Sequence, residues 1–489
     1  METQQLLIGG RRQASTGGEV IDVVNPAGLE PVARVQLATR EDMDRAIGLA
    51  RQTFDAGVWR DRSPEERGEV LREAAARLEE RLPELARLLT SELGCPLWFS
   101  ERAHVPNPIR HLRYYADLIT GRSFDDVRSD GTNTSIVAEE PVGVVGAITP
   151  WNGPLSSPTI KVAPALAAGC SVVLKPSRET PLTVMALGEA LAEAGLPEGV
   201  LSIMPAGREA GDHLLRHPEV DKIAFTGSTE TGKMIMKICA DRMARVTLEL
   251  GGKSAAVVLP DADVEAMVRA ILPMSLSVNG QLCIAQARVL VPRSLEADAR
   301  DALAAAIEAL KVGDPMDPET FIGPLVSQGQ RDRVEEYIAI ARSEGAEVAT
   351  GGGRPESVGD GWYVEPTLLA AVTNSMRVAQ EEIFGPVIAL IGYDDVDEAV
   401  RLANDSPYGL SGSVWSADVD AALGVARRIR TGMVSINGAP QAWGTPFGGY
   451  KQSGLGREMG PEGLQTYLEK KSIALPPRAG DPLIGMVDA

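Results

Sequence analysis

Little in this chain invites a covalent framework, a membrane or a polyanion. Cysteine is scarce: Cys95, Cys170, Cys239 and Cys283 are too few for disulfides to hold 489 residues together, so a reducing cytoplasm is the expected compartment. Positive charge is in deficit. Against 67 Asp and Glu stand 48 Lys and Arg, and the net charge of −19 argues against general affinity for nucleic acid or an anionic membrane. A local basic pocket for a phosphate stays compatible with that balance. The longest apolar stretch, Val162 to Leu174, is broken by Pro164 and Gly169 and falls short of a membrane span. The first residues show no basic segment leading into an apolar core, so no signal peptide is expected. Internal repeats and low-complexity tracts are also missing.

What is present is the composition of a water-soluble globular chain, 44% apolar and 24% charged, long enough for two or three domains. From Pro141 to Leu250, short β-branched runs alternate with helical patterns. Strands are expected at Val142 to Thr149, Ser171 to Lys175, Val200 to Met204, Lys222 to Thr226 and Arg245 to Leu250. Apolar strands separated by helices pair in parallel, which predicts a doubly wound α/β domain with ligands at the carboxyl ends of its strands. A second alternating region begins near Ala255 and contains Cys283. Arg40 to Thr120 reads as mostly helical, with Ser63-Pro64-Glu65-Glu66 opening one helix as cap, proline and early acids. Thr120 to Glu140 and the tail after Leu468 are polar with alternating character. Each fits either a protruding sheet that pairs with another subunit or a flexible hairpin and tail.

Several motifs can carry chemistry. Cys283, in Asn279-Gly280-Gln281-Leu282-Cys283, offers a thiol that can bond to a carbonyl carbon, and Glu249 offers a carboxylate that can activate water. By itself a cysteine near glycines is more often just a small buried residue. Thr226-Gly227-Ser228-Thr229 sits where a strand turns into a helix, so a phosphate could meet free amides there, though an ordinary capped helix explains it too. Lys175 ends a strand of the same sheet and could reach a ribose or phosphate. Asn152, after Pro150-Trp151, could donate to an oxyanion or simply serve a turn.

Taken in order, Pro150-Trp151-Asn152, Lys175-Pro176, Thr226-Gly227-Ser228-Thr229, Leu248-Glu249-Leu250-Gly251-Gly252-Lys253, Gly280-Gln281-Leu282-Cys283, Glu381-Glu382-Ile383-Phe384-Gly385-Pro386 and Pro446-Phe447-Gly448-Gly449-Tyr450-Lys451 resemble the aldehyde dehydrogenase superfamily. The resemblance runs from about residue 5 to about residue 475. It implies two doubly wound α/β domains with a small protruding β oligomerisation element. Residues 1–120 and 141–250 would bind the cofactor, 251–453 would form the catalytic domain, and 121–140 with 454–489 the oligomerisation element and tail.

The resemblance also implies roles. Cys283 matches the nucleophile and Asn152, with the Cys283 N–H, the oxyanion site. Glu249 matches the base that hydrolyses the thioester, with Lys161 and Glu458 serving its proton traffic. A nicotinamide cofactor, NAD or NADP, would meet Trp151, Lys175, Arg178, Gly207, Gly211, Thr226, Gly227, Ser228, Leu250, Glu382 and Phe384. Arg178 stands where NAD-preferring members carry a glutamate, and a guanidinium could pair with a 2′-phosphate. At Val278 an asparagine is common, and neighbouring Asn279 could supply the loop's hydrogen bonds instead.

For the substrate, Gly153, Ser157 and Ile160 replace the frequent aromatics, Leu282 and Ile284 flank the nucleophile, and Trp443 and Phe447 would close the far wall. This predicts a roomy apolar pocket for an aromatic, terpenoid or aliphatic aldehyde, with no metal. A homodimer or homotetramer is expected. Two other readings are a CoA-acylating relative, which generally lacks the base that Glu249 supplies, and a non-redox thiol esterase. The latter needs an imidazole, and only His104, His111, His213 and His217 exist, all in regions that do not approach Cys283 in this fold.

Overall fold

The computed structural model describes residues 3–476. Strands run where the alternation puts them: β1 (Val144–Ile148), β2 (Ser171–Lys175), β3 (Leu201–Ile203), β4 (Lys222–Thr226) and β5 (Arg245–Glu249). All five pair in parallel in the order β5-β4-β1-β2-β3. The order reverses between β1 and β4, so the loops after them diverge and leave a crevice at their carboxyl ends. Antiparallel edges close the sheet, Leu6–Ile8 beside β3 and Gly454–Leu455 beside β5. Those edge pieces come from the far ends of the chain and are too short to announce themselves as strands. Gly454–Leu455 thus joins the sheet of β1 to β5, although it lies inside the stretch expected from sequence to belong to the oligomerisation element.

Helices cover both faces. In chain order they include α1 (Arg40–Asp55), α2 (Pro64–Glu80), α3 (Pro106–Ile119), α4 (Ser156–Ala168), α5 (Leu182–Glu193), α6 (Arg208–Arg216) and α7 (Thr229–Asp241). Ser63 caps α2 with a reciprocal bond to Glu66, and Pro64 opens it, as its sequence predicts. The β strands are buried almost throughout because helices lie against both faces.

A second sheet is ordered Glu347–Thr350, then Thr367–Ala370, Val387–Tyr393, β6 (Arg288–Pro292), Ala255–Val258, Gly412–Trp415 and Ser435–Ile436. Only its first strand runs antiparallel to its neighbour. The polar segments pair as well. Asp125–Ser129, Thr134–Pro141 and Leu468–Leu475 form a separate three-stranded antiparallel sheet, with eight residue pairs joining the last two strands. The hairpin and tail are therefore a sheet and not loose chain. Residues 477–489 of the predicted tail lie outside the described residues.

Candidate active site

The predicted site residues owe their positions to strand ends, clamped loops and the helices that follow them. Cys283 lies on the loop that feeds β6. Three consecutive residues before it, Val278, Asn279 and Gly280, have positive φ (54°, 58° and 74°), a conformation costly for the first two. Buried hydrogen bonds hold them there. Asn279 donates to Gly94 O (3.0 Å) and Pro324 O (2.7 Å) and accepts from Gly323 N (2.7 Å). Gln281 donates to Val278 O and accepts from Val326 N. At Gly280 a Cβ would sit 2.2 Å from Gly385 O, so no larger residue fits without moving backbone. Asn279 supplies the bonds expected of it.

Asn152 follows β1 and is buried. Its Nδ2 donates to Gln281 O at 2.9 Å, which aims the amide at the stretch leading to Cys283. Glu249 ends β5 at 2% exposure, and neither carboxylate oxygen has a hydrogen-bond partner among the described residues. Such an unpaired buried acceptor is costly unless function needs it. Gly448 makes room for it, since a Cβ there would lie 2.6 Å from Glu249 Oε1. Behind it, Lys161 Nζ of α4 donates to Glu458 Oε1 in a buried ion pair.

Burial, reinforced by the neighbouring Glu458, raises the Glu249 pKa well above the usual carboxylate value, against a smaller opposing pull from Lys161 and Arg457. Burial also pushes the Cys283 thiol up to about 12, with the carboxylates of Glu382 and Glu249 adding to the effect. Cys283 is half-buried, ringed by protein yet open to the cavity. Glu382, accepting from Gly252 N at 2.9 Å, is pushed up to about 7 by burial.

One cavity of about 500 Å³ brings the chemistry together. Cys283, Glu249, Asn152 and Glu458 line it, together with Trp151, Thr226, Gly227, Ser228, Leu250, Glu382, Phe384, Ser157, Ile160 and Phe447. Trp151 and Phe384 meet edge to face at 5.3 Å. A neighbouring cavity of about 520 Å³ lies between α6 and α7 and takes in Lys175 and Gly211. There a Cβ on Gly211 would stand 3.0 Å from Lys175 Cε, so bare glycine leaves the lysine its place. Ser228 caps α7 by accepting from Thr231 N, leaving the first amides of that helix for an anion. Two adjoining cavities, a helix N-terminus and the buried carboxylate of Glu382 on the lining fit a dinucleotide.

The family model of the aldehyde dehydrogenase family matches residues 12–473. The chain belongs to that family. It is similar to geranial dehydrogenase of Castellaniella defragrans, 44% identical over 97% of this chain and 99% of that protein. Among solved structures, aldehyde dehydrogenase of Mycobacterium tuberculosis complexed with NAD+ superposes with a TM-score of 0.96 at 44% identity, covering 98% of this chain and 99% of the other. A cysteine-to-alanine mutant of aldehyde dehydrogenase C from Pseudomonas syringae, with NAD+ and octanal, gives 0.93 at 40% identity, covering 96% of each. The protein is thus an NAD(P)-dependent aldehyde dehydrogenase. No helix among its described residues is long and apolar enough to cross a membrane.

Within this aldehyde dehydrogenase, seven of the expected site residues fall outside both cavity linings, Lys161 among them, paired with Glu458. Arg178 is exposed on the turn after β2, because Pro176 carries the chain outward there. Gly207 caps the start of α6 with open space around it. Gly153 faces its own helix start, where a Cβ would meet Ser157 Oγ at 2.9 Å. Leu282 packs on the apolar core, and Ile284 follows it off the cavity wall. Trp443 rests on α3, edge to face with His111 at 4.7 Å and with the Arg110 guanidinium 4.5 Å from its ring centre. Other lining residues escape a sequence reading altogether. Arg40 and Arg208 wall the second cavity, and Arg333 and Gln330 wall the first while donating to the carbonyls of Glu382 and Phe384 (2.6 Å each). No local motif marks them, since each is one polar residue on an otherwise ordinary helix.

Proposed function

We propose that this enzyme oxidises a bulky apolar aldehyde to its carboxylic acid through a covalent intermediate on Cys283. The observation that carries the reading is the meeting of Cys283, Asn152 and Glu249 on one cavity wall, with the Glu249 oxygens unpaired. At rest the thiol holds its proton, and attack on the aldehyde carbon releases it. Glu249, whose raised pKa makes it a competent acceptor, takes that proton and passes it toward the Lys161–Glu458 pair. The new alkoxide accepts from the Asn152 amide and the Cys283 backbone N–H.

When bound, a nicotinamide cofactor supplies the hydride acceptor that turns the hemithioacetal into a thioester. Trp151, Ser228, Leu250, Glu382 and Phe384 would hold its nicotinamide side, and Lys175 and Gly211 its adenosine side. Glu249 then removes a proton from water as the water attacks the thioester carbon. The thiolate of Cys283 leaves, the acid departs, and the thiolate regains a proton. The second cavity sets Glu209, paired with Arg40 at 2.9 Å, and Asp212 beside Lys175 and Arg208, so its charges do not select for a 2′-phosphate, and NAD+ is the cofactor in the solved relatives. This favours NAD, with NADP as the second cofactor.

Ser157, Ile160 and Phe447 leave the substrate end open and largely apolar, and the one arginine on the cavity, Arg333, is engaged with Glu382 O. A geranial dehydrogenase and an octanal-bound enzyme among the relatives support the same substrate class. An aldehyde panel run with NAD and with NADP tests it. Geranial and octanal should exceed short acidic semialdehydes in kcat/KM; the reverse order would sink the apolar assignment. We further assign the three-stranded sheet, with Val127 (65% exposed) and Ile473 (42%) on its surface, to contact between subunits. Light scattering that finds a monomer would remove that assignment.

A further inference from the structure

Away from the catalytic cavities, one cluster of side chains has ligand geometry that the reaction does not use. His213 lies in the last turn of α6 and His217 just past its end, four residues on, so both rings project from one side. Asp44 of α1 faces them across the seam between the helices. Its Oδ1 is 2.6 Å from His213 Nε2 and 3.4 Å from His217 Nε2. One donor atom from each residue lies within 4.8 Å of the other two. A tetrahedral zinc ion, with bonds of about 2.0–2.2 Å, spaces its ligand atoms about 3.3 Å apart, so modest side-chain rotations close the set.

Two imidazoles and a carboxylate suit zinc, nickel or copper better than calcium or magnesium, which prefer all-oxygen shells. All three side chains are partly exposed, leaving room for water as a further ligand. One contact opposes binding. Glu219 N donates to His217 Nδ1 at 3.2 Å, and coordination through Nε2 places the ring proton on Nδ1. A single long, exposed hydrogen bond is a small loss beside a metal–nitrogen bond.

We propose that Asp44, His213 and His217 bind one divalent transition-metal ion, with zinc favoured, and that the ion clamps α1 to α6. The clamp has a defined place in the fold. The same two helices carry Arg40, Arg208, Glu209 and Asp212 on the second cavity, and the Arg40–Glu209 ion pair already ties them there. An ion on the Asp44 cluster braces that wall with a second tie between the same two helices.

The test is calorimetric titration of EDTA-treated full-length protein with zinc chloride, in a Cys283→Ser background that removes the cavity thiol. One ion should bind per chain and raise Tm. Asp44→Asn and His213→Ala should each weaken binding by about tenfold or more and abolish the rise. Absence of saturable binding up to about 1 mM zinc overturns the proposal, as does unchanged affinity in a His213→Ala, His217→Ala double variant. Cobalt(II) absorption of the unsubstituted chain gives a second check independent of those variants. Bands from nitrogen and oxygen ligands alone support the site, and a thiolate charge-transfer band at one equivalent moves the ion to a cysteine and defeats it. Neither readout depends on catalysis.

Discussion

The two cavities that meet along the strand ends are built in opposite ways. Around Cys283, polar groups are buried and closely bonded: Asn279 makes three hydrogen bonds, Gln281 makes two, and Asn152 is held by Gln281 O. Around Lys175 and Gly211, the cavity proposed for the adenosine, the wall is partly exposed, and its charges meet in surface pairs such as Arg40–Glu209. Chemistry at a carbon atom tolerates little displacement, so the inner cavity concentrates its cost in a few irreplaceable contacts. Holding an adenosine spreads over many weak ones, as exposed ion pairs each contribute little.

That contrast predicts a gradient of effects. Cys283→Ala should remove oxidation, a fall on the order of 10⁴-fold or more, while calorimetry shows cofactor binding intact. Joint loss of both would mean the inner cavity also supports the nucleotide. Glu249→Gln should still reach a stoichiometric burst of reduced cofactor, formed more slowly for want of the thiol's proton acceptor, and lose steady-state turnover by about 10²–10⁴-fold. In the unsubstituted enzyme, kcat should keep climbing as pH rises beyond the ordinary carboxylate range, because a base with a raised pKa is protonated and idle at the acid end. A flat profile above that range would contradict the burial of Glu249.

Gly280→Ala comes next. Its methyl would collide with Gly385 O and strain a positive φ, so we expect a loss of about 1–3 kcal/mol in stability and a fall in kcat larger than any change in KM for the cofactor. Denaturant melts with parallel kinetics would show it. At the weak end, Arg178→Ala should shift KM for NAD or NADP by no more than about threefold, since the side chain is exposed and off the lining. A large, NADP-specific rise would show that the outer wall has its own decisive contact.

The same contrast explains what could be read in advance. Residues of the inner cavity lie in short contiguous motifs because each needs a particular backbone shape as well as a side chain. Gly280 needs its positive φ, and Gly448 must be bare opposite Glu249. Strand ends β1, β2, β4 and β5 were legible for a related reason: β-branched runs between helical patterns leave few alternatives to parallel pairing. Arg40, Arg208 and Arg333 were not legible, being single residues on helices whose orientation only packing sets. Trp443 shows the converse. A sequence position beside Phe447 placed it on the pocket wall, yet α3 offers Arg110 and His111 as better partners.

The chain's alternation and ordered motifs, then, determined by themselves two largely parallel α/β sheets and singled out Cys283, Glu249 and Asn152, which the fold brings onto one cavity, because local backbone demands leave local residue choices. Only the tertiary structure decided that residues 454–455 complete the sheet of β1 to β5 and that the polar hairpin and tail form one. It likewise decided which charges face the second cavity and that Asp44 reaches His213 across a helix seam. Those contacts join residues tens to hundreds of positions apart, and their partners are chosen by packing geometry, which no short window of sequence contains.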